Sequence, residues 1–278
     1  MGQQFDIKPV TPIIGGEVTG LDLSKPLSDD DFAALSAAFL DRKVLFFRDQ
    51  DMTLDEQKAF GRRFGELHIH PSAQPYRENG VDHAEILFIH ADENTTRTAG
   101  DTWHTDVSCD PEPPMASILR LVEIPPAGGD TLFACMYAAY EALSEPMKEY
   151  LGQLTATHDG APNYRDRAKR RDNVIEEKQY PSNVHPVIRT HPETGRKTIY
   201  VNEAFTTHIN DVPKKEGAAI LRFLFDHIST AAFQCRFQWS ENAIAMWDNR
   251  CTLHHAMWDY FPNTRSGFRV TVKGEAPF

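Results

Sequence analysis

His104 and Asp106 stand two residues apart, and in an extended segment that spacing turns both side chains to the same side, where both can reach one metal ion. A third ligand must come from elsewhere in the chain. The run Trp247-Asp248-Asn249-Arg250-Cys251-Thr252-Leu253-His254 ends in a histidine, Arg265 follows after ten intervening residues, and Arg269 lies four further on. Two imidazoles and one carboxylate on one face of an octahedral ion leave three positions open, the arrangement of non-haem Fe(II) oxygenases. An isolated His-x-Asp carries little weight. The order His-x-Asp, distant His, then Arg is hard to obtain by chance.

The arginine has a specific use in such a site. Its planar fork pairs bidentately with the distal carboxylate of 2-oxoglutarate, while the keto acid chelates the ion through its other end. Two ambiguities remain at this level. His254 and His255 are adjacent, and on a strand they would point to opposite sides, so at most one reaches the ion. His68 and His70 also sit two apart and could form a rival zinc pair.

These residues need a scaffold of strands. Val44 to Arg48, Glu85 to Ile89, Ser117 to Val122, Pro186 to Thr190, Thr198 to Asn202, Cys235 to Trp239, Ala243 to Trp247 and Arg269 to Lys273 read as short strands, rich in β-branched and aromatic residues. That series predicts a β-sandwich or barrel. Pro192-Glu193-Thr194-Gly195 carries the turn chemistry of a hairpin. Asp29 to Leu40 has near-helical spacing, and Thr53-Leu54-Asp55-Glu56 is a capping box. Ser144-Glu145-Pro146 opens a helix, and Pro213 to Ile228 is another, with Ala219, Ile220, Phe223, Leu224 and His227 expected on one face. Asp159 to Lys178 is polar and Arg-rich and is the candidate for a mobile lid.

The chain of 278 residues shows no internal repeat or long linker, so residues 1-278 are expected to form one domain. A formal charge of -11 argues against a nucleic-acid partner, because neutralising phosphates needs a basic face. No apolar stretch is long enough to span a bilayer and no leader pattern opens the chain, so no membrane partner and a cytoplasmic location are expected. The four cysteines are widely spaced and form no CxxC pair, which predicts free, buried thiols. A homo-oligomer, dimer or tetramer, is also expected.

Several longer motifs carry a resemblance. Phe64-Gly65-Glu66-Leu67-His68-Ile69-His70-Pro71, Trp103-His104-Thr105-Asp106-Val107, Gly128-Gly129-Asp130-Thr131-Leu132 and Ala138-Ala139-Tyr140-Glu141-Ala142-Leu143 are similar to motifs of the taurine dioxygenase family, as are His185-Pro186-Val187, Val201-Asn202-Glu203, Phe205-Thr206-Thr207 and Trp247-Asp248-Asn249-Arg250. The resemblance extends over nearly the whole chain. It implies a mainly β fold with peripheral α-helices, the double-stranded β-helix or jelly roll. It also implies Fe(II) as cofactor with 2-oxoglutarate and O2 as co-substrates, iron on His104, Asp106 and His254, and 2-oxoglutarate on Thr131 and Arg265. His70, Val107, Phe205 and Arg269 would hold the substrate.

Such an enzyme couples decarboxylation of 2-oxoglutarate to hydroxylation of a small anionic substrate. Beside a sulfonate, the hydroxylated carbon collapses to an aldehyde and sulfite, so taurine or a related alkylsulfonate is the expected substrate, with an alkyl sulfate or aryloxyalkanoate as the alternative. Taurine-cleaving relatives contact the amine with Tyr and Asn at positions that here align with Ala73 and Gly100, which widens the expected set to small sulfonates in general. Two other classes compete: a metal-binding jelly roll without turnover, and a zinc hydrolase using the same ligands. Neither has a use for Arg265.

Overall fold

Alternation of side chains along the central strands dictates the layering. In Val44–Phe47, Val44 and Phe46 turn to one apolar cluster while Leu45 and Phe47 turn to another; Ile244–Asp248 divides likewise, with Ala245 and Trp247 on the first side and Ile244 and Met246 on the second. A strand buried on both faces must be covered on both. The computed structural model, which describes residues 5–71, 75–96, 98, 100–170 and 179–278, shows how.

A seven-stranded sheet runs in the order Asp6–Pro9, Gly16–Thr19, Val44–Phe47, Ile244–Asp248, Ala116–Glu123, Arg265–Val272, Leu87–Ala91. A three-stranded sheet, Gln234–Phe237, Thr131–Cys135, Thr252–Ala256, packs on its inner face, with Phe133, Phe237 and Trp239 meeting Phe46 and Trp247. Phe46 and Phe237 stack at 4.0 Å between centroids. Each such fully buried aromatic contributes about 1.5–3 kcal/mol of transfer free energy. This is the jelly roll expected from the sequence.

The helices Asp29–Arg42 and Leu54–Arg62 cover the outer face of the large sheet through Leu35, Phe39, Leu54 and Phe60. Ser28 caps the first by accepting from the Asp31 backbone N–H, and the Thr53/Glu56 box closes the second. On the far side, Met136–Glu141 and Lys214–Ile228 cover the small sheet. The hairpin forms as expected, pairing Ile188–Thr190 with Lys197–Ile199.

The structure departs from the sequence pattern at several elements. Helix Lys214–Ile228 buries Gly217, Leu221, Leu224 and Ile228, a stripe rotated from the expected one, and leaves Phe223 42% exposed. Gly217 lets the helix approach Ile209 and Val212, and that contact sets the rotation. Thr131–Cys135 and Thr252–Ala256 are strands that the sequence pattern did not single out, and the last strand begins at Arg265 rather than Arg269. In the lid candidate, Ala161–Arg170 is a helix and residues 171–178 lie outside the described residues. All four cysteines are free and buried, as expected.

Candidate active site

His104 is brought to His254 by the backbone. The two residues exchange both main-chain hydrogen bonds, His104 N–H to His254 O at 3.0 Å and His254 N–H to His104 O at 2.7 Å, in an antiparallel bridge at the edge of the small sheet. Residues directly opposite in such a pair present their side chains to the same face. The two imidazoles accordingly meet, with ring centroids 3.9 Å apart. The alternation that turns His254 inward turns His255 outward, where its ring packs edge-on against Trp103. Of the adjacent pair, only His254 reaches the site.

Asp106 completes the group. Its carboxylate oxygens lie 3.9 Å from His104 Nε2 and 3.9 Å from His254 Nε2, and the donor atoms of all three residues fall within 4.8 Å of one another. His104 Nδ1 is 2.8 Å from the Thr102 carbonyl, which holds the ring proton there and frees Nε2 as a lone pair. Burial holds both imidazoles below their ordinary pKa, His254 far below, so both are neutral. Burial alone would raise Asp106, but the Arg269 guanidinium against its carboxylate keeps it well below the carboxylate range. Two neutral imidazoles and one ionised carboxylate are a donor set suited to a divalent ion.

Arg265 and Arg269, four apart on one strand, share its inner face. Arg269 donates to Asp106 at 2.5 Å, and its buried Nε has no partner among the described residues. Arg265 is anchored by Nε to the Gly129 carbonyl at 3.0 Å, lies 5.6 Å from the Trp239 ring, and has a nitrogen 3.5 Å from Thr131 Oγ1. Gly128 and Gly129 both take positive φ, at 79° and 72°, and a Cβ on Gly129 would sit 3.1 Å from Arg265 Cδ, so the Gly-Gly-Asp-Thr run reads as a backbone cradle for this arginine. Among the described residues no carboxylate hydrogen-bonds to Arg265, and burial is what lowers its pKa. A buried guanidinium left that way calls for an anion.

His104, Asp106, His254, Thr131, Arg265, His70 and Arg269 all line one cavity of about 360 Å³. Val107 and Phe205 do not. With Cys109 and Tyr164 they form a separate apolar cluster, and Tyr164 is the member that faces the cavity, its ring edge-on to His70. His68 pairs with Asp110 at 2.9 Å and does not line the cavity, so no second metal pair forms with His70. His191, Asp248 and Cys251 also cluster, but the site is saturated: Arg250 and His191 occupy both Asp248 oxygens, and His191 Nδ1 accepts from the Glu193 and Thr194 backbone. That cluster locks the hairpin to the turn before His254.

With this geometry in place, known proteins give it a context. Residues 6–271 match the family described as taurine catabolism dioxygenase TauD, TfdA family. The chain belongs to that family. It is 33% identical to an alpha-ketoglutarate-dependent sulfonate dioxygenase of Saccharomyces cerevisiae, over 99% of this chain and 68% of the yeast protein. It is 34% identical to an alpha-ketoglutarate-dependent sulfate ester dioxygenase of Pseudomonas putida, over 99% of this chain and 91% of that one. A crystal structure of a taurine dioxygenase from Burkholderia xenovorans superimposes with a TM-score of 0.84 at 35% identity, covering 99% of this chain and 92% of that one. The chain is thus a member of a family of dioxygenases dependent on 2-oxoglutarate, the alpha-ketoglutarate of those names.

Several residues in or behind the pocket carry little signal in the sequence. Trp239 gives its indole N–H to Thr131 Oγ1 at 3.0 Å and flanks Arg265, yet it reads only as the end of an aromatic strand. Tyr164 is an isolated aromatic in a polar stretch, a faint signal. Ser117, which donates to Asp106 at 2.6 Å, carries no signal at all. Gly100 faces His104, and Ala73 lies outside the described residues.

Proposed function

We propose that the chain is an Fe(II)-dependent member of this family that hydroxylates a small organic sulfonate at the carbon bearing sulfur, releasing sulfite and an aldehyde. His104, Asp106 and His254 hold the iron, Thr131 and Arg265 hold 2-oxoglutarate, and Arg269 with His70 receives the sulfonate. The observation that carries the reading is Arg265, a buried cation with no carboxylate partner among the described residues, on the wall of the cavity that also holds the His/Asp/His group. A structural metal site or a hydrolytic one leaves that cation unexplained.

Each side chain has a task. The iron, with 2-oxoglutarate and O2, supplies the oxidising power for carbon–hydrogen hydroxylation and yields succinate and CO2. Arg265 neutralises the distal carboxylate of the keto acid, and the Thr131 hydroxyl, already accepting from Trp239, has its proton free to donate. Arg269 and His70, both buried, orient the substrate anion. Tyr164, backed by Val107 and Phe205, forms an apolar wall that excludes water from the reacting carbon.

The Pseudomonas relative makes a sulfate ester the second reading, since its anion presents the same oxygens to Arg269 and His70. Iron-loaded protein supplied with 2-oxoglutarate and O2 should form succinate in step with sulfite from short alkylsulfonates, taurine among them. Sulfate released from alkyl sulfates, or phenol from aryloxyalkanoates, would identify the alternatives. If no anion in the panel raises succinate formation, the proposal fails.

A further inference from the structure

A chain of buried hydrogen bonds behind the metal group runs in one direction only. Trp247 Nε1 is 2.9 Å from Asn249 Oδ1, Asn249 Nδ2 is 2.9 Å from Ser117 Oγ, and Ser117 Oγ is 2.6 Å from Asp106 Oδ2. An indole N–H can only donate, so the atom of Asn249 that faces Trp247 must be the carbonyl oxygen. The other end of the same amide is then the NH2 group, and it too can only donate. Ser117 Oγ receives that bond, so its own proton is left for Asp106. All four residues are buried, and no solvent competes for these bonds.

The same amide also grips the main chain of the His-Thr-Asp segment. Asn249 Oδ1 lies 3.3 Å from the Asp106 N–H and 3.2 Å from Thr105 Oγ1, while the Thr105 hydroxyl donates to the Asn249 carbonyl at 2.7 Å. Asp106 is therefore held at its backbone by Asn249 and at Oδ2 by Ser117, with Arg269 on Oδ1. One donor on each oxygen fixes the plane of the carboxylate and still leaves a lone pair on each.

We infer that Asn249 and Ser117 are positioning residues that set the orientation of Asp106 for metal binding, through a hydrogen-bond polarity imposed by Trp247. The inference rests on the reading of Asp106 as an iron ligand. Ser117→Ala removes the last donor of the chain. Asn249→Asp is nearly isosteric but turns the chain around: its carboxylate accepts the Ser117 proton and takes it from Asp106. Ser117→Thr keeps the hydroxyl.

The test is anaerobic titration of the metal-free protein with Fe(II) alone, alongside thermal unfolding of each variant. Ser117→Ala and Asn249→Asp should bind Fe(II) about 10- to 100-fold more weakly, the usual consequence of removing a partner behind a metal ligand. Ser117→Thr should keep the parent affinity. Should Asn249→Asp not fold, the Ala/Thr pair at position 117 carries the test. Parent-like affinity in Ser117→Ala while Asp106→Ala has lost the metal would overturn the inference and leave the ligand assignment intact. Retained affinity in Asp106→Ala would instead overturn the ligand assignment and this inference with it.

Discussion

On the proposed reading, Arg265→Lys should separate the two anion subsites of the cavity. Arginine anchors its Nε on Gly129 O at 3.0 Å and still offers the rest of its fork to the keto acid, because the guanidinium carries five donors in one plane. A lysine ammonium is a point charge. It keeps the Coulombic attraction but cannot hold the Gly129 carbonyl and both oxygens of a carboxylate in one plane. The loss is one charge-assisted hydrogen bond, about 1.5–3 kcal/mol. At about 1.4 kcal/mol per tenfold change, 2-oxoglutarate should bind about 10- to 100-fold more weakly. The assay is anaerobic titration of Fe(II)-loaded protein with 2-oxoglutarate, followed by its visible absorption, with KM for both substrates measured aerobically. Fe(II) affinity and the KM for the sulfonate should change little, because Arg265 makes no hydrogen bond to His104, Asp106 or His254. Unchanged 2-oxoglutarate affinity with a raised KM for the sulfonate would refute the assignment and exchange the roles of the two arginines.

Two further outcomes follow from the same geometry. Gly100 has φ +87°, and an added Cβ would lie 3.0 Å from His104 Cε1, so Gly100→Ala should lose about 1–2 kcal/mol to backbone strain alone and weaken Fe(II) binding; an unchanged Tm together with unchanged metal affinity would contradict this. His158 is buried, and burial first, then His185, pushes its pKa down to about 3. Because the unfolded chain takes up that proton near pH 6.5 and the folded one does not, stability is full above pH 6.5 and falls as pH drops towards 3, by about 3–5 kcal/mol. His158→Gln should flatten that part of the stability profile of the metal-free protein in urea unfolding, and an unchanged slope would count against it.

Where side chains alternate cleanly, the sequence was enough. Val44 to Phe47 and Ala243 to Trp247 are central strands buried on both faces, and their apolar runs show it. The strands that carry the site are harder to see. Thr131–Cys135 and Thr252–Ala256 point threonine and histidine into a polar cavity, which breaks the apolar pattern by which strands are recognised. The rotation of helix Lys214–Ile228 depended on Gly217 meeting Ile209 and Val212, a contact between segments that no local periodicity contains.

The candidate site divides in the same way. Residue types and order alone pointed to His104, Asp106, Arg265 and a histidine at 254 or 255, because metal and carboxylate chemistry restricts which side chains can serve. Resemblance favoured His254. The tertiary structure gives the physical reason: a reciprocal backbone pair with His104 places one histidine on the inner face and leaves the next on the outer. Only the folded chain sets Tyr164 in front of Val107 and Phe205, and only it joins Trp247, Asn249 and Ser117 to Asp106. The Asn249–Ser117 link joins residues far apart in the chain, and a hydrogen bond's direction depends on which groups meet, which sequence order does not record.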